Sequence, residues 1–135
     1  KLMQPHIVKE ILYPSGPVEI SPREVRQVIS PQSARILSAM MVNVVENGHG
    51  KRAGVPGYLI AGKTGTAQVP IPGGYSETRT IGTFAGFGPL PNPRFAMLVK
   101  IDEPKTVQFA ESSAAPLFGQ IAKFILDYLQ IPPTR

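Results

Sequence analysis

The sequence predicts an α+β fold, with a three-stranded antiparallel meander, one helix before it and a second helix at the C-terminal end. Three strand-like runs follow one another with short Pro- and Gly-rich turns between them, which is typical of antiparallel neighbours. Apolar residues recur at helical spacing on both sides of these runs. The chain has 13 Gly and 15 Pro in 135 residues, and both types interrupt helices, so a helical bundle is disfavoured.

The composition is that of one globular domain or part of one. Apolar residues make up 42% of the chain and charged residues 17%, which excludes a disordered chain. Cysteine is absent, so disulfides, thiolate metal sites and cysteine nucleophiles are excluded. No apolar run approaches the ~20 residues that a membrane span requires. The net charge of +5 permits an anionic partner, but the basic residues are dispersed apart from Lys51-Arg52, so we expect no nucleic acid partner.

The N-terminal segment predicts short extended elements. The apolar run His6–Tyr13, a Pro-Ser-Gly-Pro turn and Val18–Ile20 are typical of a β-hairpin or of two extended arms. The next segment leaves two alternatives open. Ser21 and Glu24 have the spacing of a helical capping box, whereas Val25–Ile29 suits a strand at least as well.

The two helices are defined by their ends and by apolar spacing. Ser30 is a good N-cap and Pro31 suits the first helical position, so the first helix is predicted to run from here to Asn47. Its apolar positions, with a methionine pair expected in the core, are Ala34, Leu37, Met40, Met41, Val44 and Val45. The second helix opens between Ser113 and Pro116. Its predicted apolar stripe is Leu117, Ile121, Phe124, Ile125 and Leu129.

Between the helices lie the three runs of the meander. Tyr58–Ala61 leads into Gly62–Val69, and after a turn from Pro70 to Gly74 come Thr80–Phe87 and Phe95–Ile101. We predict that the segment from Lys63 to Val69 is an outer strand, and that the middle run pairs with both neighbours. The last run is apolar almost throughout, as expected of a strand that is buried on both faces.

Two motifs share Lys63. Gly57–Thr64 matches the phosphate-binding pattern G-x-x-x-x-G-K-[ST]. That pattern requires a strand before it, a flexible loop within it and a helix starting at the lysine, and this sequence reverses all three. We interpret the match as accidental.

The competing motif is Lys63-Thr64-Gly65 on the edge of the meander, a signature of β-lactamases and penicillin-binding proteins. A lysine on an edge strand places a positive charge beside a groove, and glycine lets a ligand approach the backbone. Hydroxyls at Thr64 and Thr66 can face one side of the strand. The plain alternative is an ordinary edge lysine that discourages aggregation.

The longer context favours the second motif. In order and spacing, the chain resembles the C-terminal part of the transpeptidase domain of class B penicillin-binding proteins, nearest to the cell-division type. The segments that carry the resemblance are PHIVKEI, VISP, VVENG, KRA, AGKTGTAQ, GGYS, GFGP and IDEPK.

The resemblance implies a partial penicillin-binding, β-lactamase-like transpeptidase fold and a role in cross-linking peptidoglycan through an acyl-serine intermediate. It implies that Lys63 and Thr66 are catalytic, Lys63 through its charge and Thr66 through a backbone N–H in the oxyanion hole. It also implies that the substrate is bound by Thr64, Gly65, Thr66 and Gln68.

The sequence departs from the family pattern, because no serine has a lysine three residues later and no S-x-N motif is present. We therefore expect residues 1–135 to be the C-terminal portion of a transpeptidase domain, inactive alone, with both motifs upstream. The alternative is a stand-alone, non-catalytic binding module of the same fold.

The implied partners are peptidoglycan stem peptides and β-lactams, with divisome membrane proteins as further candidates. We also expect the upstream part of the same protein, or a second copy, to cover the chain. No cofactor is predicted, and His6 and His49 are too far apart in unlike contexts to suggest a metal site. The implied location is the extracytoplasmic face of the bacterial cell membrane, with the anchor outside this chain.

Overall fold

The computed structural model describes residues 1–133, which form two compact units, one covering Lys1–Ile36 and the other beginning at Leu37. The first unit holds four short strands: β1 (Leu2–Met3), β2 (Glu10–Tyr13), β3 (Gly16–Glu19) and β4 (Glu24–Arg26). Strands β2 and β3 form the predicted hairpin, and β1 pairs antiparallel with β4. The ambiguous segment after Ser21 is thus extended and not helical. No residue from 1 to 36 is buried.

Helix α1 spans Pro31–Asn47, as predicted. The Ser30 hydroxyl accepts a hydrogen bond from the Ser33 backbone N–H at 3.0 Å, which is the expected N-cap. Of the predicted apolar positions, Val45 is buried in the core, whereas Met40 is 61% exposed. The core role expected for the methionine pair is therefore wrong for Met40, because only the last turns of α1 reach the hydrophobic core.

The second unit is built on the predicted meander. Its strands are β5 (Ala61–Ile71), β6 (Gly74–Gly88) and β7 (Phe95–Asp102), antiparallel in the order β5-β6-β7. Strand β5 is an outer strand, which confirms the predicted topology. The β5–β6 turn is shorter than predicted, so Pro70 lies within β5. An outer strand tolerates proline because one side of its backbone needs no N–H donor.

Strand β7 is buried on one face only, contrary to the prediction. Val99 is buried, and Phe95, Met97 and Ile101 pack against the core. The other face carries exposed side chains, and Leu98 is 65% exposed. The physical reason is that α2 covers one face of the sheet, and within residues 1–133 no residue buries Leu98 on the other.

Helix α2 spans Ala114–Tyr128 and packs on β6, β7 and a 3-10 turn at Lys51–Ala53. Its buried face consists of Ala114, Ala115, Phe118, Gly119, Ala122 and Leu126. The predicted stripe was wrong for Leu117, Phe124 and Leu129, which are exposed. Ile125 is half-buried, and Ile121 is half-buried and packs against the core as predicted. The helix is apolar on most sides. The face with small residues is the buried one, because small side chains allow close packing against β6, β7 and the 3-10 turn. A Cβ on Gly119 would lie 2.9 Å from the carbonyl oxygen of Arg52.

Candidate active site

The K-T-G triplet lies in β5, at the outer edge of the meander. Lys63 pairs in register with Ala85 and Thr64 with Phe84, inside a continuous antiparallel ladder. The lysine is therefore not at the N-terminus of a helix, and its neighbours form no phosphate-binding loop. The alternative phosphate-loop motif is excluded by this placement.

Thr64 and Thr66 share one face of β5, since side chains alternate along a strand. Both line a groove of about 340 Å³. The other lining residues are His49 from the loop after α1 and Phe109 and Glu111 from the segment before α2. Lys63 and Gln68 are exposed and do not line the groove. The structure thus brings the two predicted hydroxyls together and leaves Gln68 outside.

The hydroxyl oxygens of Thr64 and Thr66 both accept hydrogen bonds within the protein, which leaves their protons for a ligand. The Lys63 ammonium (Nζ) donates to the Thr64 carbonyl oxygen at 2.7 Å and lies 3.3 Å from the Thr64 hydroxyl as a second acceptor. The Thr66 hydroxyl accepts from the Ala110 backbone N–H at 3.2 Å. A hydroxyl has one proton to donate, and in both cases the oxygen accepts while the proton stays available. Two such donors suit an anionic acceptor such as a carboxylate.

Gly65 is required within the sheet itself. A Cβ at this position would lie 2.6 Å from the hydroxyl oxygen of Thr83 on β6. That hydroxyl donates to the Gly65 carbonyl oxygen at 3.1 Å. The space in the side-chain direction of Gly65 is therefore occupied by Thr83, and the groove opens on the threonine side of the strand.

Three groove residues, His49, Phe109 and Glu111, were not predicted to belong to the site. His49 donates from Nδ1 to Oε2 of Glu111 at 2.6 Å, which links the loop after α1 to the segment before α2. These residues are 62 positions apart, and no motif spacing connects them. Among residues 1–133, no three His, Asp or Glu side chains are grouped so as to hold a metal ion.

The family model that matches the chain is the penicillin binding protein transpeptidase domain, over residues 1–123. The chain belongs to this family. Its relatives include the stage V sporulation protein D of Bacillus subtilis, 37% identical over 99% of this chain and 21% of that protein. The penicillin-binding protein PbpB of Mycolicibacterium smegmatis is 40% identical over 95% of this chain and 22% of that protein.

Solved structures of penicillin-binding proteins have the same fold. Penicillin-binding protein 3 of Mycobacterium tuberculosis, complexed with ampicillin, superposes with a TM-score of 0.81 and 33% identity. The match covers 93% of this chain and 30% of that one. The resemblance to the C-terminal part of a class B transpeptidase domain of the cell-division type is thus confirmed, as is the α+β fold class. The chain spans about a fifth of the length of the curated relatives above. None of the helices within residues 1–133 has the length and apolar content to cross a membrane.

Proposed function

We propose that this chain forms the K-T-G strand wall of the active site of a peptidoglycan D,D-transpeptidase. The complete site would cross-link stem peptides through an acyl-serine intermediate and bind β-lactams, and the nucleophile serine would come from residues outside this sequence. The observation that carries the proposal is the pair of hydroxyls, on Thr64 and Thr66, that face one groove with their oxygens already accepting hydrogen bonds.

Each residue of the strand has a separate role in this proposal. The hydroxyls of Thr64 and Thr66 bind the carboxylate of the substrate, and the Lys63 ammonium supplies a positive field beside them. The backbone N–H of Thr66 forms half of the oxyanion hole, whose loss typically costs about 10²–10³ in rate. Gly65, between the two threonines, lets the substrate approach the backbone of β5, and Gln68 binds the substrate farther along the strand, outside the groove.

The names of similar proteins support this ligand class. The Mycolicibacterium smegmatis relative is a penicillin-binding protein, and the Mycobacterium tuberculosis neighbour was solved with ampicillin. We propose the same ligand class for this chain, together with a location on the extracytoplasmic face of the bacterial membrane and divisome membrane proteins as partners. The upstream part of the same protein, or a second copy, would cover the exposed face of β7 around Leu98.

The test compares two polypeptides with a fluorescent penicillin. The isolated 135-residue chain is expected to take no covalent label, because no serine here has a lysine at S-x-x-K spacing. The product of the complete gene is expected to be labelled, and Lys63→Ala should slow its acylation at least tenfold. Lys100→Ala, at an exposed lysine on β7, is the matched control and should leave the rate unchanged.

Three results would contradict the proposal. A boil-resistant label on the isolated chain would show that the nucleophile is present here. An unchanged acylation rate in Lys63→Ala would remove the strand from the site. A complete gene without an S-x-x-K segment upstream would favour the non-catalytic module instead.

A further inference from the structure

A second cavity, of about 220 Å³, adjoins the groove of β5. It is lined by Gly48, His49, Lys51, Arg52, Glu111 and Ser112. His49 and Glu111 also line the groove, so their hydrogen-bonded pair stands at the boundary of the two spaces. The groove and the second cavity are therefore neighbours that share this pair as a common wall.

The second cavity is electropositive. Lys51 and Arg52 are both exposed, and within residues 1–133 neither side chain makes an ion pair or a hydrogen bond. The one carboxylate in the lining, Glu111, is engaged by His49 at 2.6 Å. Lys51 also lines a neighbouring space, together with Glu46, whereas Arg52 does not line that space. We therefore treat Arg52 as the main cation of the second cavity. Two cations against one engaged carboxylate favour an anionic ligand.

The backbone that carries these cations is fixed, although their side chains are exposed. The turn Lys51–Ala53 is closed by the Ala53 N–H to the Gly50 carbonyl at 2.8 Å and by the Gly54 N–H to the Lys51 carbonyl at 3.1 Å. Gly119 of α2 packs directly against the Arg52 carbonyl. Fixed attachment points reduce the entropy that is lost when the side chains order around a ligand.

We propose that this cavity binds a second carboxylate, carried within a peptide whose terminal carboxylate lies at Thr64 and Thr66. The peptide assignment rests on the proposed function, whereas the anionic character of the ligand follows from the cavity alone. Strand β5 has no partner on its outer side within residues 1–133, so the C-terminal end of the peptide can lie against it, whereas none of the residues that line the second cavity belongs to β5. A guanidinium binds a carboxylate through two parallel hydrogen bonds, which makes Arg52 the selective residue.

The experiment measures binding of two peptides to the 135-residue chain by calorimetry. Both end in D-alanyl-D-alanine and differ only in having glutamate or glutamine at an upstream position. The glutamate peptide is expected to bind about threefold to tenfold more tightly, and the difference should shrink in high salt. Arg52→Gln should abolish most of the discrimination and Lys51→Gln part of it. Arg94→Gln, which removes an exposed arginine before β7, is the charge-matched control and should preserve it.

The outcomes separate this inference from the proposed function. Equal affinity for the two peptides, or no saturable binding of either, overturns the inference whatever penicillin labelling shows. Inorganic phosphate is the third probe: if it binds at Arg52 while the peptides are not discriminated, the peptide assignment is overturned. If penicillin labelling of the complete protein fails but Arg52-dependent discrimination persists, the anion site stands and the transpeptidase assignment falls.

Discussion

The β2–β3 hairpin and the β5–β7 meander are both antiparallel and both rich in apolar residues, but they differ in how far those side chains are exposed to solvent. In the hairpin, Leu12 is 76% exposed and Val18 is 50% exposed. In the meander, Phe84 is fully buried and Val99 nearly so. The backbone pairing is regular in the hairpin, and in the meander it is regular except for a register shift between Gln68 and Pro70. The difference arises because α2 covers the meander, whereas no residue of the first unit is buried.

This difference shows that strand pairing and core formation are separate contributions to stability. A two-stranded hairpin is marginally stable by itself in water, whereas a sheet with a helix on one face buries enough apolar surface to hold together. The hairpin of the first unit is therefore expected to open locally at low cost, and the meander only with global unfolding.

The largest expected effect is in the covered meander. Phe118→Ala on α2 should lower the free energy of unfolding by about 3–5 kcal/mol, because the fully buried ring packs 4.7 Å from the Phe84 ring between centroids. Phe124→Ala on the same helix is the matched control and should cost under about 0.5 kcal/mol, since Phe124 is 68% exposed. Leu12→Ala in the hairpin should resemble the control. Urea unfolding followed by far-UV circular dichroism measures all three.

Similar losses in Phe118→Ala and Phe124→Ala would contradict the division of α2 into a buried and an exposed face. A large loss in Leu12→Ala would show that the hairpin is covered by another part of the molecule in solution.

The two regions require glycine for different physical reasons, and alanine substitutions should show this through smaller losses of stability. In Gly86→Ala, on β6, the new Cβ would lie 2.7 Å from the Phe118 ring and 2.8 Å from the Ala61 carbonyl oxygen, which should cost about 2 kcal/mol. In Gly16→Ala, in the hairpin, the Cβ would meet open space, but φ is +120°, which should cost about 1 kcal/mol in backbone strain.

A double mutant separates the two mechanisms. Phe118→Leu should recover part of the loss in Gly86→Ala, because the two sites are in contact, and should be additive with Gly16→Ala. Additivity at both positions in urea unfolding would show that Gly86 is not there to admit the Phe118 ring.

The elements that sequence reasoning predicted correctly are those specified by neighbouring residues. The meander follows from short turns between apolar runs, and α1 begins where Ser30 and Pro31 placed its cap. The alternation of Thr64 and Thr66 onto one face is likewise a local property of a strand. Each of these features was predictable because its cause lies within a few residues.

The errors concern properties that depend on distant partners. Helix α2 is apolar on most sides, so its spacing could not choose between the face with Phe118 and the face with Phe124; the choice came from the fit of small residues on the sheet. The apolar sequence of β7 likewise does not reveal that Leu98 is uncovered here. His49 and Glu111 meet in the groove across 62 residues, and no local pattern encodes that meeting.

The smallest expected effect is at α1, within which the boundary between the two units falls. Ser30→Ala removes the acceptor for the Ser33 N–H and should destabilise the first turn by about 1 kcal/mol. The first turns carry exposed side chains, with Leu37 51% exposed, whereas Val45 near the other end is buried. The loss should therefore appear as faster hydrogen exchange of the amides in the first two turns, while the amides around Val45 and the global unfolding midpoint stay unchanged.

The control for this prediction is Gln32→Ala, two residues after Ser30 in the same turn and without a role in the cap. It should not speed hydrogen exchange. If Ser30→Ala instead lowers the global midpoint as much as a core substitution does, the start of α1 unfolds together with the meander, and the two regions form one cooperative structure rather than two.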